Sequence, residues 1–342
     1  MNLPAPDSAQ AFAFAVVRPG AEAALKREAA ARGLALAFSR PGLVTLKDPR
    51  GAVTPDFGAD LVHARVAGSS LGRFADAASI ADAVAHAGPL GLHVFARPLP
   101  EDTPPDAAPA RLLEAELAAR LGARRVDALA PGTLVLDVVV HAGESLFAGL
   151  HRHGEGRSRA PGGAPEVRVP PLAPSRAYAK LREALELAGE AMRPGELAVE
   201  LGSAPGGITL AMLEEGVSVI GVDPGAMDPG VLAFTGPGGA RVRHRKMPAG
   251  ALAPGELPAR IDWLVVDLNL APPVALRYVA RILRARPPRR GAVITLKMND
   301  DAARAAIPEH LAAVQALGLP RIVARQLPAN RSEITVIARP RR

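Results

Sequence analysis

Two amines and two carboxylates in the second half of the chain form a candidate catalytic set: Lys180, Asp267, Lys297 and Glu333. The sequence contains 36 Arg and only five Lys, so two of its few lysines belong to this set. A partly buried lysine can release its proton, whereas arginine stays charged in proteins. The set therefore indicates proton transfer, with salt bridges at a sheet edge as the alternative.

The elements predicted around these residues bring them to one edge of a sheet. Asp267 and Lys297 each end an apolar strand, and the carboxyl ends of parallel strands border the ligand crevice of such sheets. Glu333 begins a strand that should run antiparallel to the one before it, because residues 328–332 are too few for a parallel crossover. Lys180 lies near the start of a helix that begins at the same edge. We therefore expect the four side chains to meet.

Apolar segments alternate with helical patterns throughout the second half. Strands are predicted at 197–201, 217–222, 240–244, 261–267, 292–297, 321–327 and 333–338, and helices at 175–192, 206–215, 273–286 and 300–317. This alternation indicates an α/β fold with a doubly wound, mostly parallel seven-stranded sheet and an antiparallel last strand.

A glycine-rich turn follows the first of these strands and consists of Gly202, Ser203, Ala204, Pro205, Gly206 and Gly207. Such a turn lets a nucleotide approach the backbone at a helix N-terminus. Asp223 ends the second strand, where it can accept hydrogen bonds from both ribose hydroxyls, and Asp267 is a further candidate contact. Ala204 replaces the second glycine of the dinucleotide pattern, and Glu200 places a carboxylate at the mouth, which suits a sulfonium and an α-amino group. The turn favours S-adenosylmethionine over NAD, with a plain structural turn as the alternative.

The first half is predicted to be a smaller α+β region. Strands are expected at 12–17, 34–38, 43–47, 133–140 and 145–149, and helices at 21–32 and 111–121. Residues 154–174 contain nine Gly or Pro in 21 positions, which neither a helix nor a central strand tolerates. We assign a linker to 154–172, between a first domain at 1–153 and a second at 173–342.

The net charge of +7 belongs to the second half. Residues 1–170 hold 18 basic and 18 acidic side chains, whereas 171–342 hold 23 basic and 16 acidic ones. Arginine clusters at 241–245, 277–290 and 339–342 suit a phosphate backbone, with solvated helix faces as the alternative. Aromatic residues make up 3% of the chain, so a base-stacking surface is not expected.

Composition also excludes some classes of protein. The absence of cysteine excludes disulfides and thiolate metal sites, and the apolar run at 11–17 is too short to span a membrane. We expect a cytoplasmic monomer. His151 and His153 form a His-x-His pair, for which a solvated loop is preferred to a metal site because no third ligand is in view.

The chemistry-bearing motifs resemble those of FtsJ-like RNA ribose 2′-O-methyltransferases. The segment 175–181, the glycine-rich turn and the Lys-Asp-Lys-Glu set match that family's pattern. The details are most similar to members that methylate a cytidine ribose in bacterial large-subunit ribosomal RNA. The segments of this chain that carry the similarity are 17–22, 173–176, 221–227, 324–327 and 331–336. The similarity is specific over 173–338. Over 1–153 it is weak, although the similar segments occur in the same order.

The resemblance implies a Rossmann-like class I methyltransferase domain that uses S-adenosylmethionine and no metal, preceded by a THUMP-type RNA-binding region. It also implies that Lys297 accepts the proton of a ribose 2′-hydroxyl. Burial and the like charge of Lys180 would favour the neutral amine, while Asp267 and Glu333 orient the lysines. The chain departs from the family pattern at two positions of the expected cofactor site. The acid that usually follows the third strand is missing near Met247, and an aliphatic residue follows the paired glycines.

Three other functions remain open at this point. A catalytically silent RNA-binding scaffold would keep the arginine clusters. An NAD-linked Rossmann oxidoreductase would share the sheet, and a methyltransferase acting on proteins or small molecules would share the cofactor.

Overall fold

The computed structural model describes residues 11–100 and 106–341, and these residues fall into two compact units, Met1–Glu166 and Val167–Arg342. Residues 1–10 and 101–105 of the predicted first domain and Arg342 of the basic tail lie outside the described residues. None of the helices within the described ranges has the length and apolar character needed to cross a membrane.

In the described residues, the first unit is built on a seven-stranded sheet with three α-helices. Its elements are β1 Phe12–Val17, α1 Glu22–Ala30, β2 Ala35–Arg40, β3 Leu43–Lys47, β4 Ala64–Phe74, α2 Ala77–Ala83, β5 Leu90–Ala96, α3 Ala108–Leu121, β6 Leu134–Val140 and β7 Leu146–Arg152. The strand order is β2-β3-β1-β4-β7-β6-β5, and β5 and β6 form its parallel pair.

Side-chain alternation along β1 explains why this sheet has apolar contacts on both faces. Ala13, Ala15 and Val17 belong to one buried cluster with Leu25 of α1. Phe14 and Val16 point the other way and belong to a second cluster. The helix α1 therefore covers one face of β1 only.

The second unit contains the predicted seven-stranded α/β sheet. Its elements are α4 Ala177–Ala188, β8 Leu197–Leu201, α5 Gly207–Glu214, β9 Ser218–Val222, α6 Pro229–Ala233, β10 Val242–Arg245, β11 Trp263–Val266, α7 Pro272–Ala285, β12 Gly291–Lys297, α8 Asp301–Ala305, α9 Ile307–Gln315, β13 Arg321–Arg325 and β14 Glu333–Arg339. The order is β10-β9-β8-β11-β12-β14-β13, and β14 runs antiparallel to both of its neighbours. The predicted sheet and its antiparallel last strand are confirmed.

One helix predicted in this unit was wrong. The segment 300–317 forms two helices, α8 and α9, which meet at Ala306. Pro308 lies in the first turn of α9 and lacks the N–H that a continuous helix needs there, so the chain starts a new helix instead.

The segment predicted as a linker is partly packed against the first unit. The division between the units falls after Glu166, inside 154–172. Arg157 is 8% exposed, and its guanidinium donates to the carbonyl oxygens of Ala67, Asp56 and Phe57 at 2.5, 2.9 and 2.7 Å. A charged side chain with this many carbonyl acceptors fixes the beginning of the segment to the sheet.

The interpretation of His151 and His153 as a solvated loop was wrong. Strand β7 continues to Arg152, so His151 lies inside the sheet, and the two histidines are 1% and 5% exposed. His151 hydrogen-bonds to Asp137, which is fully buried. Burial raises the pKa of Asp137, but its histidine partners outweigh this and lower it to about 2. Within the described ranges no group of three or more His, Cys, Asp or Glu side chains is arranged to hold a metal.

Candidate active site

Four different elements carry the lysines and carboxylates to the carboxyl edge of the second sheet. Lys180 is in the first turn of α4, and Asp267 directly follows β11. Lys297 ends β12 and stands directly opposite Glu333, the first residue of β14. Residues in direct register on neighbouring strands point to the same face, so the antiparallel pairing alone brings Lys297 and Glu333 together.

The four side chains form a closed ring of alternating charge, which we call the lysine–carboxylate ring. The Nζ atom of Lys180 lies 3.1 Å from Asp267 Oδ2 and 2.7 Å from Glu333 Oε2. The Nζ atom of Lys297 hydrogen-bonds to Glu333 Oε1 and lies 3.7 Å from Asp267 Oδ1. Each amine therefore contacts both carboxylates. All four side chains are 12–14% exposed.

The ring acts differently on its members. Burial lowers the pKa of Lys180, but the charges and hydrogen bonds of Asp267 and Glu333 outweigh it, and the net pKa is raised. Burial raises the pKa of Glu333, but its bonds to Lys180 and Lys297 outweigh it, and the net pKa is lowered. Lys180 is thus held as an ammonium and Glu333 as a carboxylate.

The glycine-rich turn packs directly against the backbone of this ring. Gly202 has a φ of +85°, and a Cβ there would lie 2.4 Å from the carbonyl oxygen of Asp267. A Cβ on Gly207 would lie 2.3 Å from Ser175 Oγ, just before α4. Both positions require glycine because another backbone passes within contact distance. The turn therefore meets β11 and the segment that leads to Lys180.

Two buried hydroxyls near the turn have no partner among the residues that the structure describes. They are Ser203 Oγ, in the turn, and Ser175 Oγ. Asp223, directly after β9, accepts a hydrogen bond from the Gly225 N–H through Oδ1 at 2.6 Å. A buried polar atom without a partner costs stability, so the unsatisfied Ser203 hydroxyl fits a turn that binds a polar ligand.

The expectation for Glu200 was wrong. Its side chain is not at the mouth of the site but is 1% exposed, and it accepts a hydrogen bond from Thr209 Oγ1 of α5 at 2.5 Å. Burial raises its pKa well above the ordinary value, Thr209 opposes this, and the charges of Asp267 and Asp223 add to it. The neutral acid is therefore favoured here, because it avoids an ionised group in an apolar strand.

Sequence reasoning missed a residue that positions the ring. Glu183 lies one turn after Lys180 on α4, is 5% exposed, and accepts the Ala329 N–H at 2.9 Å. Ala329 belongs to the turn that leads into β14, the strand that begins with Glu333. This hydrogen bond therefore links that turn to α4, the helix that carries Lys180. The signal was present, because Glu183 interrupts the apolar face of α4 and a carboxylate there needs a buried donor.

Comparison with known proteins bears on this unit. Residues 173–268 match the FtsJ-like methyltransferase family. The resemblance seen in the sequence is confirmed for this segment, which contains Lys180, the glycine-rich turn, Asp223 and Asp267; Lys297 and Glu333 lie beyond it.

Curated relatives carry a more specific name. The chain is 37% identical over 182 residues to a protein named ribosomal RNA large subunit methyltransferase M from Halorhodospira halophila, covering 52% of this chain and 51% of that protein. A protein of the same name from Laribacter hongkongensis is 34% identical over 192 residues, with 53% and 52% covered. The chain thus spans about half the length of these relatives. The solved structure of TrmN from Thermus thermophilus is 18% identical over 96% of this chain and 99% of its own, but its TM-score of 0.34 is too low to support an argument.

Proposed function

We propose that this protein transfers a methyl group from S-adenosylmethionine to a ribose 2′-hydroxyl of RNA. The lysine–carboxylate ring beside a glycine-rich turn is the observation that carries the proposal. A turn that could bind a nucleoside lies beside amines and carboxylates, and these groups could accept one proton. The bound cofactor would supply the methyl group on a positively charged sulfur.

The cofactor site is proposed at the turn between β8 and α5. Residues 202–207 would hold the cofactor through their backbone, with Asp267 beside them, and Ser203 would gain the partner that its hydroxyl lacks. Asp223 would accept the hydrogen bonds of the ribose hydroxyls, since its Oδ1 accepts from the Gly225 N–H and its Oδ2 forms no hydrogen bond with a described residue.

Lys297 is proposed as the general base. The carboxylates of Asp267 and Glu333 hold Lys180 as an ammonium. The motif resemblance to FtsJ-like methyltransferases supports the role of base for the other amine of the ring, Lys297. This amine would accept the proton of the 2′-hydroxyl as the new oxygen–methyl bond forms and the sulfur–methyl bond breaks. Lys180, Asp267 and Glu333 would orient the base and the ribose.

Substitution of Lys297 tests this role. We expect Lys297→Ala and Lys297→Arg to bind S-adenosylmethionine within a few-fold of the parent, because neither change touches the turn. Transfer of tritiated methyl to RNA should fall by about 10²- to 10⁴-fold, the contribution typical of a general base. Turnover at the parental rate in either variant would exclude Lys297 as the base.

The proposed substrate is a cytidine of bacterial 23S ribosomal RNA. The names of the curated relatives and the motif resemblance support the large subunit as the target. In this proposal the chain acts as a monomer. Residues 1–153 form a THUMP-like RNA-binding region, 154–172 a linker and 173–342 the methyltransferase domain.

Two measurements separate this function from the other candidates. An NAD-linked oxidoreductase would bind NADH in preference to S-adenosylmethionine in a competitive titration. A silent RNA-binding scaffold would bind RNA without tritium transfer, and an enzyme that acts on proteins or small molecules would transfer methyl groups in the absence of RNA.

A further inference from the structure

An exposed group of cations and aromatic rings lies on one face of the first sheet. We call it the Phe38 patch, and it consists of Phe12, Phe38, Arg40, Lys47 and Arg73. Phe12 on β1 stands directly opposite Lys47 on β3. Phe38 on β2 stands opposite Thr45, two residues before Lys47, and Arg40 is two residues after Phe38. Because side chains alternate along strands, these residues share a face.

Cations lie against both rings. The guanidinium carbons of Arg40 and Arg73 lie 5.0 and 4.3 Å from the ring centroid of Phe38. Lys47 Nζ lies 5.9 Å from the centroid of Phe12, which is 43% exposed. The three cations are also exposed. Each is within the range of a cation–π interaction.

No carboxylate of the described residues pairs with these cations. In the described ranges, Arg40, Lys47 and Arg73 form no hydrogen bond or ion pair. Strands β1 to β4 contain no acidic residue. By contrast, Arg32 and Arg120 of the same unit are paired with carboxylates. Two guanidinium groups that share one ring repel each other, and an anion near them would relieve that repulsion.

We infer that the Phe38 patch binds a single-stranded segment of the RNA substrate. The inference rests on the proposed function, because it assigns a surface for that enzyme's RNA. Its cations suit phosphates, while the exposed ring of Phe12 and the guanidinium planes can stack on bases. A duplex hides its base faces and would use only the charges. Low aromatic content argued against a base-stacking surface, but the fold gathers two of the eight phenylalanines on this exposed face.

The charge contribution is tested by the salt dependence of binding. The probe is a fluorescently labelled single-stranded RNA of about 12 nucleotides, within the size of known single-strand sites. It is titrated with the full chain at several salt concentrations. Each phosphate contact adds about 0.7 to the slope of log affinity against log salt. Arg40→Gln/Arg73→Gln should therefore flatten the slope by about 1.4.

The stacking contribution is tested separately. Phe12→Leu keeps the charges but removes the ring, so we expect affinity for the single strand to fall by about 5-fold or more with an unchanged salt slope. Affinity for a double-stranded RNA of equal length should not change. Loss of affinity for both RNAs would contradict stacking, as would no loss for either.

The matched control is Lys26→Gln/Arg111→Gln. These cations lie on helices α1 and α3. Among the described residues they form neither an ion pair nor a cation–π contact. The control should leave the slope unchanged. If Arg40→Gln/Arg73→Gln behaves like the control while methyl transfer to RNA proceeds, the patch inference fails and the proposed function stands. If the parent protein transfers no methyl to RNA, the proposed function fails whatever the slope.

Discussion

Because Gly202 has no side chain, the proposed cofactor turn can pack directly against the lysine–carboxylate ring. Its φ of +85° favours glycine, and the carbonyl oxygen of Asp267 occupies the place of a Cβ. The same residue therefore sets the conformation of the turn and the position of Asp267. A glycine in a strand-to-helix turn is predictable from sequence, but the identity of the backbone that passes over it is not.

Comparing alanine substitutions at Gly202 and Gly195 separates the effect of a steric clash from the effect of a positive φ. Gly195 also has a φ of +85°, but no described residue beyond its chain neighbours lies within 4 Å of its Cβ position, so Gly195→Ala introduces only backbone strain. We expect Gly195→Ala to lower the free energy of unfolding by about 1–2 kcal/mol. Gly202→Ala should lower it further and weaken S-adenosylmethionine binding at least about 10-fold, or about 1.4 kcal/mol, as measured by calorimetric titration. Equal effects of both changes on stability and on cofactor affinity would contradict this coupling.

The ring also predicts how stability depends on pH. The pKa of Glu333 is lowered from its ordinary value of 4.5, so its stabilisation is present above that value and is lost as pH falls through the lower folded-state pKa. The pKa of Lys180 is raised from 10.5, so its contribution is present below that value and is lost as pH rises through the higher folded-state pKa.

Glu333→Gln removes the carboxylate that titrates on the acid side. We expect the free energy of unfolding of the parent protein to fall more steeply than that of Glu333→Gln between about pH 5 and pH 3. Urea denaturation at a series of pH values measures this difference. Parallel curves for the two proteins would show that Glu333 does not titrate with folding.

The antiparallel strand β14 is the element that completes the site. Its direction follows from the short connection after β13, and its first residue stands opposite the last residue of β12. The connection is fixed by buried polar groups. Asn330 and Thr335 are fully buried and hydrogen-bond to each other at 3.1 Å, and Glu183 accepts from Ala329. The element therefore reaches the ring in one register.

Glu183 offers a test of that connection. Glu183→Ala removes the acceptor of the part-buried Ala329 N–H, which costs about 1 kcal/mol, and should lower kcat more than it raises KM, because the ring is misplaced. Glu183→Gln keeps an acceptor oxygen and serves as the control, with kcat close to that of the parent. Steady-state kinetics with RNA measure both variants. A loss of kcat in Glu183→Gln equal to that in Glu183→Ala would show that charge rather than position matters.

Periodicity predicted the elements whose side chains follow one simple pattern. Strands β1, β3 and β8 have the predicted bounds, since each is a short apolar run between turn residues. Strand β4 was missed because glycine and serine replace much of its apolar pattern and its pairing shifts register at two points. Helix α2 was missed too, and its start is set by Asp76, whose side chain accepts the Ser79 N–H.

The residues of the site were likewise only partly predictable from the sequence. Its four ionisable residues could be placed at one edge because strand direction fixes which ends meet. The burial of Glu200 could not be foreseen, since it depends on whether α5 packs Thr209 against that side of β8. The environment of a buried acid is a tertiary property that spacing along the chain does not encode.

The division of the chain into two units separates the proposed chemistry from the Phe38 patch. The ring, the glycine-rich turn and Asp223 all belong to the unit Val167–Arg342, which has its own sheet and apolar cluster. The patch belongs to the other unit. Binding of the cofactor and recognition of RNA can therefore be measured apart.

A fragment of residues 167–342 should fold and bind the cofactor. We expect its dissociation constant for S-adenosylmethionine to lie within about 3-fold of that of the full chain, a difference of about 0.7 kcal/mol. Its affinity for single-stranded RNA should be lower. Circular dichroism and calorimetric titration check the fragment. A folded fragment without cofactor binding would show that the site needs residues of the first unit.

We propose that the lysine–carboxylate ring catalyses methylation of a ribose in ribosomal RNA, and a map of the 2′-O-methyl groups in that RNA is the test of this proposal. Cells that lack this protein are compared with cells that express the parent or the Lys297→Ala variant. We expect one 2′-O-methylcytidine of the large-subunit RNA to disappear without the protein, to return with the parent and to stay absent with the variant. A methylation map that is identical in all three, or that is restored by Lys297→Ala, would contradict it.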